Sequence, residues 1–177
     1  MDLLVADIGG THVRLAKASC QQKLVRLSHL RIYDTIDFQD FETTLAHYLG
    51  QLDGAQISVA VFAVAGPVKA QSCTLTNLNW TLYATELKSR FNFKECTLLN
   101  DLEAIAWGID ALTPEESLVI QAGTSAVEGN RCVLAPGTGL GEAGLILHQG
   151  ESIAFASEGG HADFAPTNEI EWRLYQH

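Results

Sequence analysis

Pairs of cysteines, basic stretches and long apolar runs are all scarce in this sequence, and each scarcity removes a class of function. The four cysteines, Cys20, Cys73, Cys96 and Cys132, are scattered, so no C-x-x-C pair is available for a zinc or redox centre. Single thiols behind a plain Met1-Asp2 start, with no basic leader, suit a reducing cytoplasm. The longest apolar run, around Val59–Ala65, falls far short of the roughly 20 residues a membrane helix needs. Lys and Arg number 11 against 21 acidic residues, and the formal charge of −10 repels phosphate backbones and anionic lipid alike. No internal repeat or low-complexity tract occurs. The expectation is a soluble cytoplasmic protein with neither a nucleic-acid nor a membrane partner. What remains is 177 residues, 47% hydrophobic and 18% charged, enough for one good core or two small lobes.

The order of patterns predicts an α/β fold. Leu3–Ile8, Val13–Ser19 and Leu24–Tyr33 read as three strands in quick succession, an antiparallel meander. Asp37 is placed to cap a helix carrying Phe38, Phe41, Leu45, Tyr48 and Leu49, with Gly50 as its left-handed end. Ile57–Ala65 reads as a strand buried on both faces, broken by Gly66-Pro67. A short strand at Cys73–Thr76, a helix over Ala84–Phe91 and a strand at Cys96–Leu99 follow. Asn100 then caps a helix with Glu103 in capping-box position and Leu102, Ile105, Ala106 and Ile109 toward the core. Thr113-Pro114-Glu115-Glu116 reads as a further helix start, and the expected lobes are residues 1–110 and 111–177. Leu118–Ile120, Arg131–Ala135, Gly144–His148 and Ile153–Ala156 are strand-like, Gly123–Asn130 is loop, and Pro166-Thr167-Asn168 opens a last helix. Three strands followed by helix–strand–helix–strand–helix is the order of a ribonuclease-H-like lobe, the lobe of actin-like ATPases. The later strands begin that order again.

Four motifs carry chemistry. Ala6-Asp7-Ile8-Gly9-Gly10-Thr11 closes a strand with two glycines whose N–H groups can line an anion-binding nest, and Thr11 adds a hydroxyl. Asp7 there can meet Mg²⁺ through the ion's waters. The next segment reads as strand and no Lys-Ser/Thr follows, so the motif is not a P-loop; a plain Gly-Gly hairpin is the other reading. Pro136-Gly137-Thr138-Gly139-Leu140-Gly141 is a second glycine loop after a strand. Gly139 to Gly144 also fits the dinucleotide fingerprint, with Asp163 about twenty residues on. That rival fails on context, because the segment that should be a helix reads as strand. Asp101 sits at a strand-to-helix junction, where α/β folds place ligands and a helix N-terminus keeps an acid ionised. An Asn cap followed by a first-turn acid is also what any helix start favours. Glu158-Gly159-Gly160-His161-Ala162-Asp163 offers a carboxylate and an imidazole that can read adjacent sugar hydroxyls. The other readings are a polar turn with a surface histidine and a metal pair at His161 and Asp163, and no metal ligand is assigned.

Together, Ala6–Thr11, Leu99-Asn100-Asp101-Leu102, Ala135–Gly141 and Glu158-Gly159-Gly160-His161-Ala162-Asp163-Phe164-Ala165-Pro166 resemble, in order, the motifs of the bacterial glucokinase family. Thr76-Asn77 with Trp80 is similar as well. The likeness runs along essentially the whole chain. It implies ATP-dependent phosphorylation of glucose at the 6-hydroxyl, with Mg²⁺ alongside ATP. Asp101 is then the general base, with Asn100, Glu158 and His161 on the other hydroxyls. Ala6, Asp7, Ile8, Gly9, Gly10 and Thr11 face the nucleotide phosphates, joined by Gly137, Thr138 and Gly139. Three departures stand out. His12 replaces a frequent Asn, and the cysteine-rich zinc motif of the repressor–kinase branch is absent. Family members are also longer, which implies an N-terminal fragment with weak or no activity alone. A non-catalytic sugar-sensing regulator of the same fold is the alternative, and a homodimer stays open.

Overall fold

The computed structural model describes residues 2–21, 24–52, 57–75, 78–124, 129–137 and 139–177. They gather into two compact units, Met1–Ala104 and Ile105–His177. The first holds a five-stranded sheet in which β1 (Asp2–Ile8), β2 (His12–Gln21) and β3 (Leu24–Asp34) form the predicted meander. After helix α1 (Phe41–Leu49), β4 (Val59–Val64) joins parallel to β1. Then come β5 (Ser72–Leu75), β6 (Trp80–Tyr83), helix α2 (Ala84–Arg90) and β7 (Glu95–Asn100), which runs parallel to β4. The sheet order is β3-β2-β1-β4-β7, with β5 and β6 as a separate antiparallel ribbon.

Alternation explains these strands. Leu4, Ala6 and Ile8 of β1 and Ala60, Phe62 and Val64 of β4 point to one face and are buried. Phe41, Leu45 and Tyr48 of α1 and Leu87 of α2 belong to the same core, with the Phe41 and Phe62 rings edge to face at 5.1 Å. Each such large side chain contributes about 1.5–3 kcal/mol of burial. β3 carries one extra residue opposite β2, where His29 takes a φ of 54° and its carbonyl accepts the Tyr48 hydroxyl at 3.0 Å.

The second unit centres on β8 (Arg131–Pro136), β9 (Leu140–His148) and β10 (Glu151–Ser157), an antiparallel sheet in the order β10-β9-β8. Val133, Ala143, Leu145 and Ala154 bury one face. The two-residue turn Gln149-Gly150 has positive φ at both positions, 52° and 83°, as a tight hairpin matching strand twist requires. Helix α4 (Glu169–Tyr175) starts where expected, with the Asn168 side chain accepting from the N–H groups of Ile170 and Glu171.

Several expectations need correction. α1 is capped by Asp40, not Asp37. Asp37 closes a separate turn, Thr35–Asp37, and Asp40 shares a reciprocal capping box with Thr43. Gly50 has φ −64°, so it ends the helix without a left-handed residue. β4 is fully buried on one face only, since Val59, Val61 and Ala63 are half-covered. β6 is a strand that the sequence does not announce: Trp80 and Leu82 are buried at a spacing of two, a signal too short to read. Thr113-Pro114-Glu115-Glu116 makes one capped turn and no helix. Leu118, Val119 and Ile120 form no strand and stand 86%, 77% and 94% exposed. Helix α3 (Asp101–Gly108) buries only Ala106 of its expected core face, and Ile105 is exposed, because no described element covers that side.

Candidate active site

Three parallel strands end level in the first unit. Ile8 of β1 pairs with Val64 of β4, and Val64 with Asn100 of β7. The Gly9–Thr11 loop, the Ala65-Gly66 bend and Asp101 therefore all leave the sheet at one end, the end where α/β folds bind ligands. The loop is a hairpin between β1 and β2. Gly9 spends its N–H on the His12 carbonyl at 2.9 Å, so only part of the expected nest remains for an anion. Thr35, buried and missed in the sequence, holds the loop from behind. Its hydroxyl lies 3.0 Å from Gly10 O and 3.1 Å from Thr11 O, and its N–H donates to Thr11 O at 2.9 Å. Asp7 is exposed and pairs at 2.7 Å with Arg14, its direct partner across β1 and β2. A hairpin register alone gives that pairing, which makes Arg14 the one missed residue that the motif's spacing could have found.

Asn100 is the hinge of the β7–α3 junction. Its Oδ1 accepts the N–H groups of Leu102 and Glu103 at 3.0 and 3.2 Å and so caps α3. No reciprocal bond from the Glu103 carboxylate occurs among the described residues. The Asn100 amide donates to Gly66 O at 3.2 Å and to Asp101 Oδ1 at 2.9 Å. Asp101 Oδ1 also accepts the Leu102 N–H at 2.9 Å. Oδ2 receives no hydrogen bond among the described residues. Burial pushes the Asp101 carboxyl above the usual carboxylate range, the Asp7 charge adds to that, and the Leu102 and Asn100 donors pull it back. The nearby Cys73 thiol is raised as well, first by burial and then by the Asp101 charge.

In the second unit Gly137 N–H donates to Gly139 O at 2.8 Å, closing the β8–β9 hairpin. Thr138 lies outside the described residues, as do Thr76 and Asn77. Gly139 to Gly144 runs into β9, so the dinucleotide-type helix does not form. Glu158 precedes a single turn, Gly159–His161, that packs on β9. A Cβ on Gly160 would stand 1.8 Å from the Leu140 carbonyl oxygen, so only glycine fits this approach. That contact sets the turn beside the start of β9, next to the Gly137–Gly139 hairpin. The Glu158 carboxylate lies 3.1 Å from His161 Nδ1, both exposed. Asp163 is exposed too, and the described residues contain no cluster of three or more His, Cys, Asp or Glu suited to a metal.

Against known proteins, a family model described as glucokinase matches residues 4–177. The glucokinase of Saccharophagus degradans is 35% identical over 169 residues, which are 95% of this chain and 53% of that protein. A crystal structure of a glucokinase from an Antarctic psychrotroph is 33% identical with a TM-score of 0.85, over 98% of this chain and 55% of that one. The glucokinase of Balamuthia mandrillaris in complex with glucose is 25% identical with a TM-score of 0.71, over 99% and 53%. The chain thus spans about half the length of the curated relatives it matches. The α/β architecture expected from the order of elements, that of the actin-like ATPases, is the fold of these neighbours.

Proposed function

Because the chain belongs to the glucokinase family, we propose that it carries the base and sugar-facing residues of an enzyme that transfers phosphate from ATP to the 6-hydroxyl of glucose, the first step of glycolysis. The observation that carries this reading is the Asp101 carboxylate, with Oδ1 fixed by two donors and Oδ2 free of protein partners among the described residues. Asp101 takes the proton of the sugar 6-hydroxyl as that oxygen commits to the γ-phosphorus. A raised carboxyl suits the task, since a base works best as its pKa approaches the operating pH. Phosphoryl transfer is mostly positioning and charge stabilisation, so a fixed acceptor counts for more than a strong one.

Asn100, Glu158 and His161 pair with the remaining hydroxyls as mixed donors and acceptors. Ala6–Thr11 and Gly137–Gly139 serve the phosphates, with the Gly10 and Thr11 N–H groups and the Thr11 hydroxyl as donors. Asp7 fits an outer-sphere role toward Mg²⁺, being exposed and held from one side by Arg14. When bound, Mg²⁺ supplies neutralisation of charge on the phosphates. Residues 1–110 form a small lobe in this reading and residues 111–177 open a larger one. Cytoplasmic action and assembly as a homodimer belong to the same reading, and light scattering after gel filtration checks the assembly.

The test is a coupled assay for glucose 6-phosphate beside glucose calorimetry. Asp101→Ala is expected to lower turnover by about 10²- to 10⁴-fold, the usual share of a general base, while part of the glucose binding survives. Undiminished turnover in that variant overturns the reading. Glucose binding without any turnover in a version as long as the relatives favours the sugar-sensing regulator instead.

A further inference from the structure

β7 is one of the two edge strands of the sheet, so its outward backbone groups have no neighbouring strand among the described residues. At Leu98 a single side chain takes the place of one. The Leu98 N–H donates to Gln71 Oε1 at 2.8 Å, and Gln71 Nε2 donates to Leu98 O at 3.4 Å. The carboxamide thus reproduces the two-bond exchange of an antiparallel pair. Reaching this position takes an unusual backbone. Ala70 and Gln71 both adopt left-handed φ values, 48° and 57°, without being glycine. The turn is anchored on both sides: Lys69 and Ser72 exchange backbone bonds at 2.9 and 3.0 Å, and Gln71 O accepts the Ala84 N–H at 3.0 Å.

The same segment grips β7 a second time, where Gly66 O accepts the Asn100 amide. Leu98 and Asn100 are therefore both fastened from the Gly66–Gln71 loop, immediately before Asp101. Asn100 in turn holds Asp101 Oδ1 and the first N–H groups of α3. A shift of the β7 end thus passes directly to the carboxylate.

We propose that Gln71 is a positioning residue for the Asn100-Asp101 junction, its carboxamide locking the end of β7 so that the Asp101 carboxylate stands in a fixed place. The proposal rests on the reading of Asp101 as the base. Ala70 and Gln71 form the same kind of two-residue turn as Gln149-Gly150, here without glycine, and the turn brings the Gln71 carboxamide to Leu98.

The test uses the ¹⁵N-labelled chain, with amide exchange and glucose affinity measured for the wild type, Gln71→Gly, Gln71→Glu and Asp101→Ala. Glycine accepts the left-handed backbone, so Gln71→Gly removes the carboxamide without adding strain. The Leu98 amide is then expected to exchange about tenfold faster or more, on the scale of local opening. The Leu102 and Glu103 amides follow, while β1 and β4 keep their protection and glucose binding weakens several-fold. Gln71→Glu keeps an acceptor for the Leu98 N–H but sets a second carboxylate oxygen against Leu98 O in place of the Nε2 donor, so protection at Leu98 is expected to fall between those of the wild type and Gln71→Gly. Faster exchange at Leu98 alone, with Leu102, Glu103 and glucose affinity unchanged, overturns the proposal, as does unaltered exchange at Leu98. A loss of protection spread evenly over β1 and β4 overturns it too, because that marks a merely structural role. If Asp101→Ala leaves glucose affinity untouched, the reading of Asp101 falls, and exchange at Leu102 and Glu103 still decides the part played by Gln71.

Discussion

Asp101 in the first unit and the Glu158–His161 pair in the second are held by opposite means. Asp101 is half-buried, and polar groups from β7, α3 and the Gly66 bend fix its junction. Glu158 and His161 have side chains 60% and 81% exposed, bonded to each other and set in place by backbone packing at Gly160. A group that must accept a proton at one defined atom needs rigid support and some loss of solvent. On the proposed reading Glu158 and His161 only recognise hydroxyls, which suits an exposed turn, where bonds with water exchange for bonds with sugar at little cost. Position in the first unit comes from side-chain hydrogen bonds, and in the second from the absence of a side chain.

The sharpest way to break this contrast is in activity. Asp101→Ala costs orders of magnitude in turnover, whereas Glu158→Gln, which keeps shape and one acceptor, costs about tenfold or less through glucose KM. Equal losses in kcat from both variants would erase the distinction. Next in size is Gly160→Ala. Its Cβ meets a backbone oxygen that cannot swing aside, so a loss of about 1–3 kcal/mol is expected in denaturant unfolding, with glucose affinity falling as the turn shifts. Thr35→Val removes a buried hydroxyl from behind the Gly10-Thr11 hairpin, and about 1–2 kcal/mol should go with it. ATP affinity should weaken while the affinity for glucose stays close to that of the wild type.

A finer effect depends on pH. Because the folded state raises the Asp101 pKa, chiefly by burial, ionising that group costs stability as pH climbs through and above the carboxylate range. Asp101→Asn lacks this titration and keeps a similar shape. It should melt higher than the wild type at neutral pH, with the difference vanishing below the carboxylate range. A difference that grows on acidification would show the opposite sign of shift. Smallest of all, Glu158→Gln should change stability by no more than about 0.5 kcal/mol, as exposed ion pairs generally do.

Legibility in the sequence divides along similar lines. Local signals carried far: the meander, the Asn100 cap, the start of the last helix after Pro166-Thr167-Asn168 and the Gly-Gly motifs all stand where spacing and cap chemistry put them. Signals that depend on tertiary partners did not. Asp37 and Asp40 both look like caps, and only the turn at Thr35–Asp37 decides between them. Ile105 and Leu118–Ile120 follow apolar patterns that no described element covers. Thr35 and Gln71 act through contacts 24 to 27 residues away, which no local pattern announces. Asp101 itself was readable as a helix-start acid. What gave it weight was the level row Ile8, Val64 and Asn100, a fact of strand register.

The most direct measurement is a glucose titration followed by backbone amide shifts. The N–H groups of Leu102 and Glu103 rest on the Asp101 and Asn100 oxygens, so they should move early and saturate with the binding isotherm. Saturable glucose binding that leaves both amides unmoved would contradict a role for Asp101 at the sugar.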